Sequence, residues 1–328
     1  MPRIVALLLA AGAVTRLRPL TAAIPKPGLP LLDVPLAAWG LADLTLLAAH
    51  RPPFQGGRSR RVDDGGLVMM NLSEGHEAVS AALGSMLEGV EVFIEAPEPL
   101  GSAGTIAALR ERLTGQLVTR NADLLSSLAA ADVLATHEAS GAPATIAIQP
   151  VSSGADIVTA EGAVRLVDRR VEDVPGARFL GVSVFEPAAL AHAKSNGPRD
   201  LAGGLLAPLI ARGEVATHIH DGYALDVGTP GRYLQASLDL LYGRAPSPPT
   251  PFPGAIVEVD GGRAYLGPRA IAAPDTLGPG AVVLRGARVE PGAHIRDAIV
   301  WIDEVVPEGT EVTEGIRAFG ATIGALEQ

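Results

Sequence analysis

The chain opens MPRIVALLLAAGAVTRLRPLTAAIPKPGLPLL, and the residues able to do chemistry fall there in a fixed order. An apolar run over 4–9, closed by Leu9, gives way to Ala10, Ala11 and Gly12. Their short side chains leave backbone N–H groups within reach of a phosphate. Arg16 then offers a planar fork for phosphate oxygens, and Lys26 a mobile point charge. Pro25 and Pro27 stiffen the backbone around Lys26 and help to aim it. An ordinary turn with solvated cations explains any one of these features; the whole ordered string reads as a phosphate cradle. Two aspartates much further along, Asp123 and Asp226, each close a strand-like run. Taken alone, each reads equally well as a helix cap or a turn former.

The elements that must position these residues are legible as periodicity. The run 4–9 is continuous and apolar, the pattern of a strand buried on both faces of a parallel sheet. Similar runs at 67–70, 90–94, 116–119, 145–148 and 179–185 alternate with helical patterns at 77–87 and 104–113. That alternation predicts an α/β domain around a mainly parallel sheet. Asp123 and Asp226 then share the carboxyl edge of one sheet, where such folds bind ligands. The polar, Pro-, Gly- and Arg-rich stretch 50–66 reads as a surface excursion. A last helix over 230–242 starts at Pro230, with Thr229 placed to cap it.

The proline-rich stretch 244–254 is a stiff linker, which divides the chain into a domain over 1–243 and a second over 255–328. In the second, Val259, Tyr265, Ile271, Leu277, Val283, Val289, Ile295 and Trp301 recur every six residues, with Gly and Pro between. A six-residue apolar period is the signature of a parallel β-helix.

Composition bounds the partners. With 328 residues, 48% of them hydrophobic and 19% charged, the chain has the composition of a globular protein, which argues against disorder. A net charge of −10 predicts no nucleic-acid partner, so the cations that meet phosphate must be gathered locally. The absence of cysteine removes disulfides and thiolate metal sites and is compatible with a reducing cytoplasm, the expected location. No stretch is long and apolar enough for a membrane span, and the opening run lacks the layout of a signal peptide. His218 and His220 share a strand face but read as surface residues for want of a third ligand.

The string LLLAAGAVTRLRPLTAAIPKP closely resembles the opening of sugar-1-phosphate nucleotidyltransferases, which runs L-A-A-G-x-G-T-R-L-x-P-L-T and then P-K-P. Further resemblances follow in order: EAPEPLGSAGTIAALRE at 95–111, LVTRNADLL at 117–125 and DGYALDVGTPGRYLQA at 221–236. Together they cover about residues 1–242. The resemblance implies a Rossmann-like domain followed by a left-handed β-helix. It also implies transfer of a nucleoside monophosphate from a nucleoside triphosphate to a sugar 1-phosphate, with Mg²⁺ and release of pyrophosphate.

The resemblance further implies roles. Leu9, Ala10, Ala11, Gly12, Thr15, Glu95 and Gly101 fall in the nucleotide-binding set, and Asp123 and Asp226 hold the metal. Arg16 would hold the leaving phosphates, and Lys26 the α-phosphate or the incoming sugar phosphate. Gly154, Asp168, Arg169 and Gly181 fall on the sugar-phosphate side. A sugar phosphate is already an anion, so catalysis needs positioning and charge neutralisation rather than a strong base. A carboxylate at Glu95 can accept from both N1–H and N2–H₂ of guanine, which leans towards GTP.

The pattern is broken in places. The glycine before Thr15 is Val14, whose branched side chain adds bulk where the backbone should approach the nucleotide. Asn-Gly-Asp is Asn121-Ala122-Asp123, and Glu-Lys is Asp168-Arg169. The Tyr before Gly154 is Ser153, the Asn or Thr before Gly181 is Leu180, and the Trp of the last motif is Ala224. The expectations are therefore three. An active transferase, mannose-1-phosphate guanylyltransferase-like, comes first. A uridylyl- or thymidylyltransferase, and a paralogue that binds a nucleotide sugar and regulates a partner without turnover, are the alternatives. The β-helix is expected to serve assembly or regulation, with a homo-oligomer formed through it.

Overall fold

Along Ile4–Leu9 (β1) every side chain is buried, and alternate ones enter different cores. Ile4, Ala6 and Leu8 pack on one side of the sheet, and Val5, Leu7 and Leu9 on the other, which is why the run carries no polar residue. The computed structural model describes residues 3–12, 16–49, 66–160, 163–166, 174–194, 196 and 200–324.

After β1 come a small hairpin, Pro30–Leu31 (β2) and Val34–Pro35 (β3), and the helix Ala37–Ala49 (α1). Leu67–Leu72 (β4), His76–Leu83 (α2), Val90–Ile94 (β5), Ser102–Leu109 (α3) and Gln116–Asn121 (β6) follow. Next are Leu124–Ser126 (β7), Ala130–Ser140 (α4), Ala144–Val151 (β8), Ile157–Ala160 (β9), Ala163–Leu166 (β10) and Gly176–Phe185 (β11). Ala207–Ile210 (α5), Val215–Ile219 (β12), Ala224–Asp226 (β13) and Pro230–Leu241 (α6) complete this part.

Nine strands form one sheet in the order β10-β9-β11-β6-β1-β4-β5, with β8 and β12 joined to it through β11. The run β6-β1-β4-β5 is parallel throughout, while β11 enters antiparallel to β6, β8 and β9. One expectation is corrected here. The run 90–94 is not buried: as β5 it lies at the sheet edge, with no strand beyond it among the described residues, and Val92 and Ile94 stay exposed. The helix predicted over 77–87 is α2 followed by a tighter turn over 84–87, because Gly84, at φ 53°, ends the α-helix. Thr229 does cap α6, accepting from the Arg232 N–H at 3.3 Å, with Pro230 at its first position.

The C-terminal part begins with an antiparallel hairpin, Ala255–Val259 (β14) and Gly262–Leu266 (β15). Ala281–Val283 (β16), Arg288–Val289 (β17) and His294–Arg296 (β18) make one circuit. Ala298–Val300 (β19), Val305–Val306 (β20) and Glu311–Thr313 (β21) make the next, and Gly315–Ala318 (β22) and Ala321–Gly324 (β23) close it. Parallel pairing of β16 with β19, β17 with β20 and β18 with β21 gives a three-faced coil.

The coil repeats every 17 residues, with Val283 beside Val300, Val289 beside Val306 and Ile295 beside Val312. Its corners are left-handed residues at 280, 286, 292, 297, 303, 309, 314 and 320, so one side per circuit is five residues long and the others six. The strict six-residue period therefore slips at Trp301. Val300 takes the inward position, and Trp301 packs edge-on against Tyr233 of α6, ring centroids 6.0 Å apart.

That contact belongs to a joint between coil and sheet. The β2–β3 hairpin turns through Leu32 and Asp33, at φ 47° and 61°, a conformation that branched and apolar L-residues rarely adopt. Asp33 is fixed from the coil: its carboxylate accepts from the Tyr265 hydroxyl at 3.1 Å and from the Arg285 N–H at 3.2 Å. Burial raises its pKa, against the opposing pull of those hydrogen bonds. The Tyr233 hydroxyl donates to the Pro30 carbonyl, and Trp39 Nε1–H to that of Pro246 at 3.2 Å. The hairpin thus sits between α6 and the coil, four residues after Lys26.

Candidate active site

Leu9, Ala10, Ala11, Gly12 and Lys26 of the cradle, but not Arg16, line one cavity of about 480 Å³ at the carboxyl ends of β1, β4 and β6. Leu9, Ala10, Ala11 and Gly12 form one wall, Glu95 and Gly101 another, and Lys26 and Asp123 its end. Parallel pairing brings them together: Leu9 is in register with Asn71 on one side and Asn121 on the other. Thr15 and Val14 lie outside the described residues, as do Asp168 and Arg169.

Asn71, which the sequence reading missed, organises this wall. Its Oδ1 accepts from the Ala10 N–H at 2.7 Å, and its Nδ2 donates to Glu95 Oε1 at 2.8 Å. Glu95 also accepts from the Thr105 hydroxyl and, through Oε2, from the Leu100 N–H at 2.7 Å. Only 3% exposed, this carboxylate holds the Asn71 amide and the loop after β5 in place. Glu98 lines the same cavity, is exposed, and has no hydrogen bond among the described residues.

At the end of the cavity the Lys26 ammonium, 7% exposed, pairs with Asp123 Oδ2 and stands 3.6 Å from Asp226 Oδ1. Asp123 follows β6 of the main sheet, but Asp226 ends β13, which pairs with β7 in a separate two-stranded sheet, so the two aspartates do not share one sheet edge as the sequence predicts. The β7–β13 pairing, with Asp226 opposite Leu124, draws the two carboxylates onto one ammonium. Arg232 Nη1 lies 3.7 Å from Asp226 Oδ2. Arg16 is brought to the same place, since a Cβ added at Gly228 would lie 3.3 Å from its Nη2 and 3.4 Å from both Asp226 oxygens. Asp226 Oδ1 is buried and has no hydrogen-bond donor. Two carboxylates with an oxygen left over suit a hard divalent cation that completes its shell with phosphate oxygens.

A second cavity, of about 230 Å³, opens beyond Asp123, which lines both. Gly181 and Leu180 line it, with Gln149, Asp156, Arg178 and Arg232 as further polar groups. Gly154 is not in its lining but lies beside Arg178, whose Nη2 is 3.9 Å from a Cβ built there. Neither Arg178 nor Gln149 belongs to a recognisable pattern, which is why sequence reasoning passed them over.

Gly181 has φ 71°, and a Cβ on it would lie 2.5–2.9 Å from the Asn121 side chain. Gly181→Ala is expected to displace Asn121 from the boundary of the two cavities and, for the transfer that the sequence resemblance implies, to lower kcat/KM for the acceptor on the order of 10²-fold. Steady-state kinetics with the nucleotide saturating checks this; an unchanged KM for the nucleotide belongs to the same expectation.

His218 Nδ1 pairs with the Thr136 hydroxyl at 2.7 Å, and His220 Nε2 lies 3.3 Å from the Ser127 hydroxyl. Among the described residues no cluster of three His, Cys, Asp or Glu could hold a metal by itself. No helix there is long and apolar enough to cross a membrane.

No family model matches the chain. Among curated proteins, it is 26% identical to the mannose-1-phosphate guanylyltransferase of Mycobacterium tuberculosis, over 90% of this chain and 79% of that one. It is likewise 26% identical to mannose-1-phosphate guanylyltransferase 1 of Arabidopsis thaliana, over 97% of this chain and 87% of that one. Among solved structures, a Bacillus anthracis protein assigned as a glucose-1-phosphate thymidylyltransferase, in complex with sucrose, shares the fold. Its TM-score is 0.56 at 18% identity, covering 71% of this chain and 94% of that one.

Proposed function

We propose, for a chain that belongs with the sugar-1-phosphate nucleotidyltransferases, that it transfers a guanylyl group from GTP to a hexose-type sugar 1-phosphate, with Mg²⁺. The observation that carries this reading is Lys26, buried between Asp123 and Asp226 at the point where the two cavities meet. The nucleotide takes the first cavity, with its phosphates along Ala10, Ala11 and Gly12. The acceptor takes the second, with its phosphate at Asp123.

In the reaction an acceptor phosphate oxygen attacks the α-phosphorus, a new P–O bond forms, and the bond to the β-phosphate oxygen breaks. The electron pair leaves on pyrophosphate, so no proton has to be moved to start the step. Two anions must meet and a third must depart, and the barrier is electrostatic. Lys26 neutralises the α-phosphoryl oxygens and Arg16 the departing phosphates. Asp123 and Asp226 would hold Mg²⁺, which supplies further positive charge to the α-phosphate. The Asn71 bond to the Ala10 N–H fixes the cradle before the nucleotide arrives.

The base is assigned to guanine on two grounds. The relatives named above are guanylyltransferases. The carboxylate able to accept from both guanine donors is Glu98, open in the cavity, rather than Glu95, whose oxygens are already engaged. A nucleoside triphosphate substrate is compatible with a cytoplasmic location.

The test is pyrophosphate release with Mg²⁺, each nucleoside triphosphate being presented against a panel of sugar 1-phosphates, with Asp123→Ala as control. Release with GTP that vanishes in the variant supports the reading. Preference for UTP or dTTP overturns the base assignment. Silence across the panel, with a nucleotide sugar still bound, turns the reading into that of a regulatory paralogue.

A further inference from the structure

We propose that the acceptor carries a second anionic group, a ring carboxylate, and that Arg178 receives it; the acceptor class is then the hexuronate 1-phosphates. The proposal rests on the transferase reading above and concerns the second cavity alone.

Arg178 is an anomaly of charge. It lines the cavity, its Nε is buried without a hydrogen-bond partner, and no carboxylate lies within ion-pair distance of it among the described residues. Three other partly or fully buried arginines are paired, Arg120 with Asp43, Arg232 with Asp226 and Arg317 with Glu304. Asp156 stands on the same wall, yet its Oδ1 accepts from the Phe179 N–H at 2.7 Å. A buried Nε without an acceptor is costly, and the planar fork, which lines the cavity, matches a carboxylate through two parallel hydrogen bonds.

Position separates this anion from the acceptor's phosphate. The phosphate must reach the Asp123 end, where Gly181 abuts Asn121. Arg178 stands three residues back along β11, up to about 10 Å away at the rise of an extended strand. An acceptor whose phosphate lies at Asp123 presents the far side of its ring to Arg178. The neighbouring wall does not suit a neutral ring. Phe179 and Leu180 offer no hydroxyl partner, and Gln149 Nε2 already donates to the Gly222 carbonyl at 2.9 Å.

The experiment compares two acceptors that differ only at the carboxylate, mannose 1-phosphate and mannuronate 1-phosphate, and likewise the glucose pair. Pyrophosphate release is followed with the best nucleotide. The uronate is expected to be preferred at least about 10-fold in kcat/KM. Arg178→Gln is expected to raise KM for the uronate by about 10- to 100-fold and make the paired acceptors equivalent, with Arg178→Lys restoring part of the preference. Equal use of the pair by the wild type, or preference for the neutral sugar, overturns the proposal. An Arg178→Gln loss that is the same for both acceptors also overturns it and places Arg178 on the phosphate.

If no acceptor supports release, the transferase reading has failed on its own account. Calorimetric titration with mannuronate 1-phosphate and mannose 1-phosphate then decides about Arg178. Binding of the uronate at least about 10-fold tighter, lost in Arg178→Gln, upholds the carboxylate site, and indifference refutes it.

Discussion

Asp123→Asn is expected to lower the rate of pyrophosphate release on the order of 10³-fold, with the fold unchanged. The side chain keeps its shape and loses its charge, so Lys26 loses the nearer of its two carboxylates. Lys26→Met is expected to slow the reaction comparably but to differ in one readout. In the free protein the ammonium occupies both carboxylates, so a metal ion competes with it for them. Removing it should tighten binding of Mn²⁺, used as a paramagnetic probe in the absence of nucleotide, while Asp123→Asn should weaken it. The double variant should be little worse than the worse single one, because residues that act as a unit are not additive. If both single variants retain wild-type rates, the place where the cavities meet is not where the chemistry occurs.

Arg120→Met should cost about 3–5 kcal/mol of stability, as expected for removal of one partner of a buried pair. Arg120 is 1% exposed in β6, under α1, and donates to Asp43 Oδ2 at 2.8 Å, the Leu128 carbonyl at 2.9 Å and the Ser126 hydroxyl at 2.9 Å. Methionine fills much of the volume and leaves all three acceptors without that donor. Asp43 retains only the Ala130 N–H, at 3.1 Å. Its pKa is already raised by burial, against the pull of Arg120, and without Arg120 it rises further. A carboxyl whose folded pKa lies above its unfolded value favours the folded state at low pH, and that advantage fades as pH rises through the folded value. The deficit of Arg120→Met against wild type should therefore be smallest near pH 4 and grow towards neutrality. Denaturant titrations across that range check both size and slope, and a deficit independent of pH would remove Asp43 from the explanation.

The parts legible in the sequence share a physical trait: their signal is local. The run 4–9 announces a two-faced strand because both faces need apolar residues, and Ala10, Ala11 and Gly12 follow it directly. Lys26 and Asp123 were found as members of ordered strings, and they meet in space as an ion pair. By contrast, α1 escaped notice because its sequence AAWGLADLTLLAA is apolar around most of its circumference and shows little helical periodicity. Asn71 reads as one polar residue at the end of an apolar run, and its meaning lies in its register with Leu9. Arg178 has no local signature, and its importance comes from what does not stand beside it. Asp33 was out of reach altogether, since its partners lie 232 and 252 residues further on. The coil was visible as a six-residue period, but the five-residue side that turns Trp301 outward is set by left-handed corners that periodicity alone does not mark.

The joint at Asp33 gives the proline-rich boundary a different standing. Residues 244–254 separate two parts in the order of the chain, yet mechanically the coil and the β2–β3 hairpin form one wall. A Cβ at Gly267 would already overlap the Asp33 carboxylate, so the fit leaves no room for slack. The coil is therefore no interchangeable cartridge. A replacement grafted after residue 243 would have to supply a hydroxyl for Asp33, a backbone donor beside it and an indole for Tyr233. Failing that, the hairpin four residues from Lys26 would lose the brace on its outer side. The exterior of the coil is free of this constraint, while those few positions tie it to the sheet it packs against.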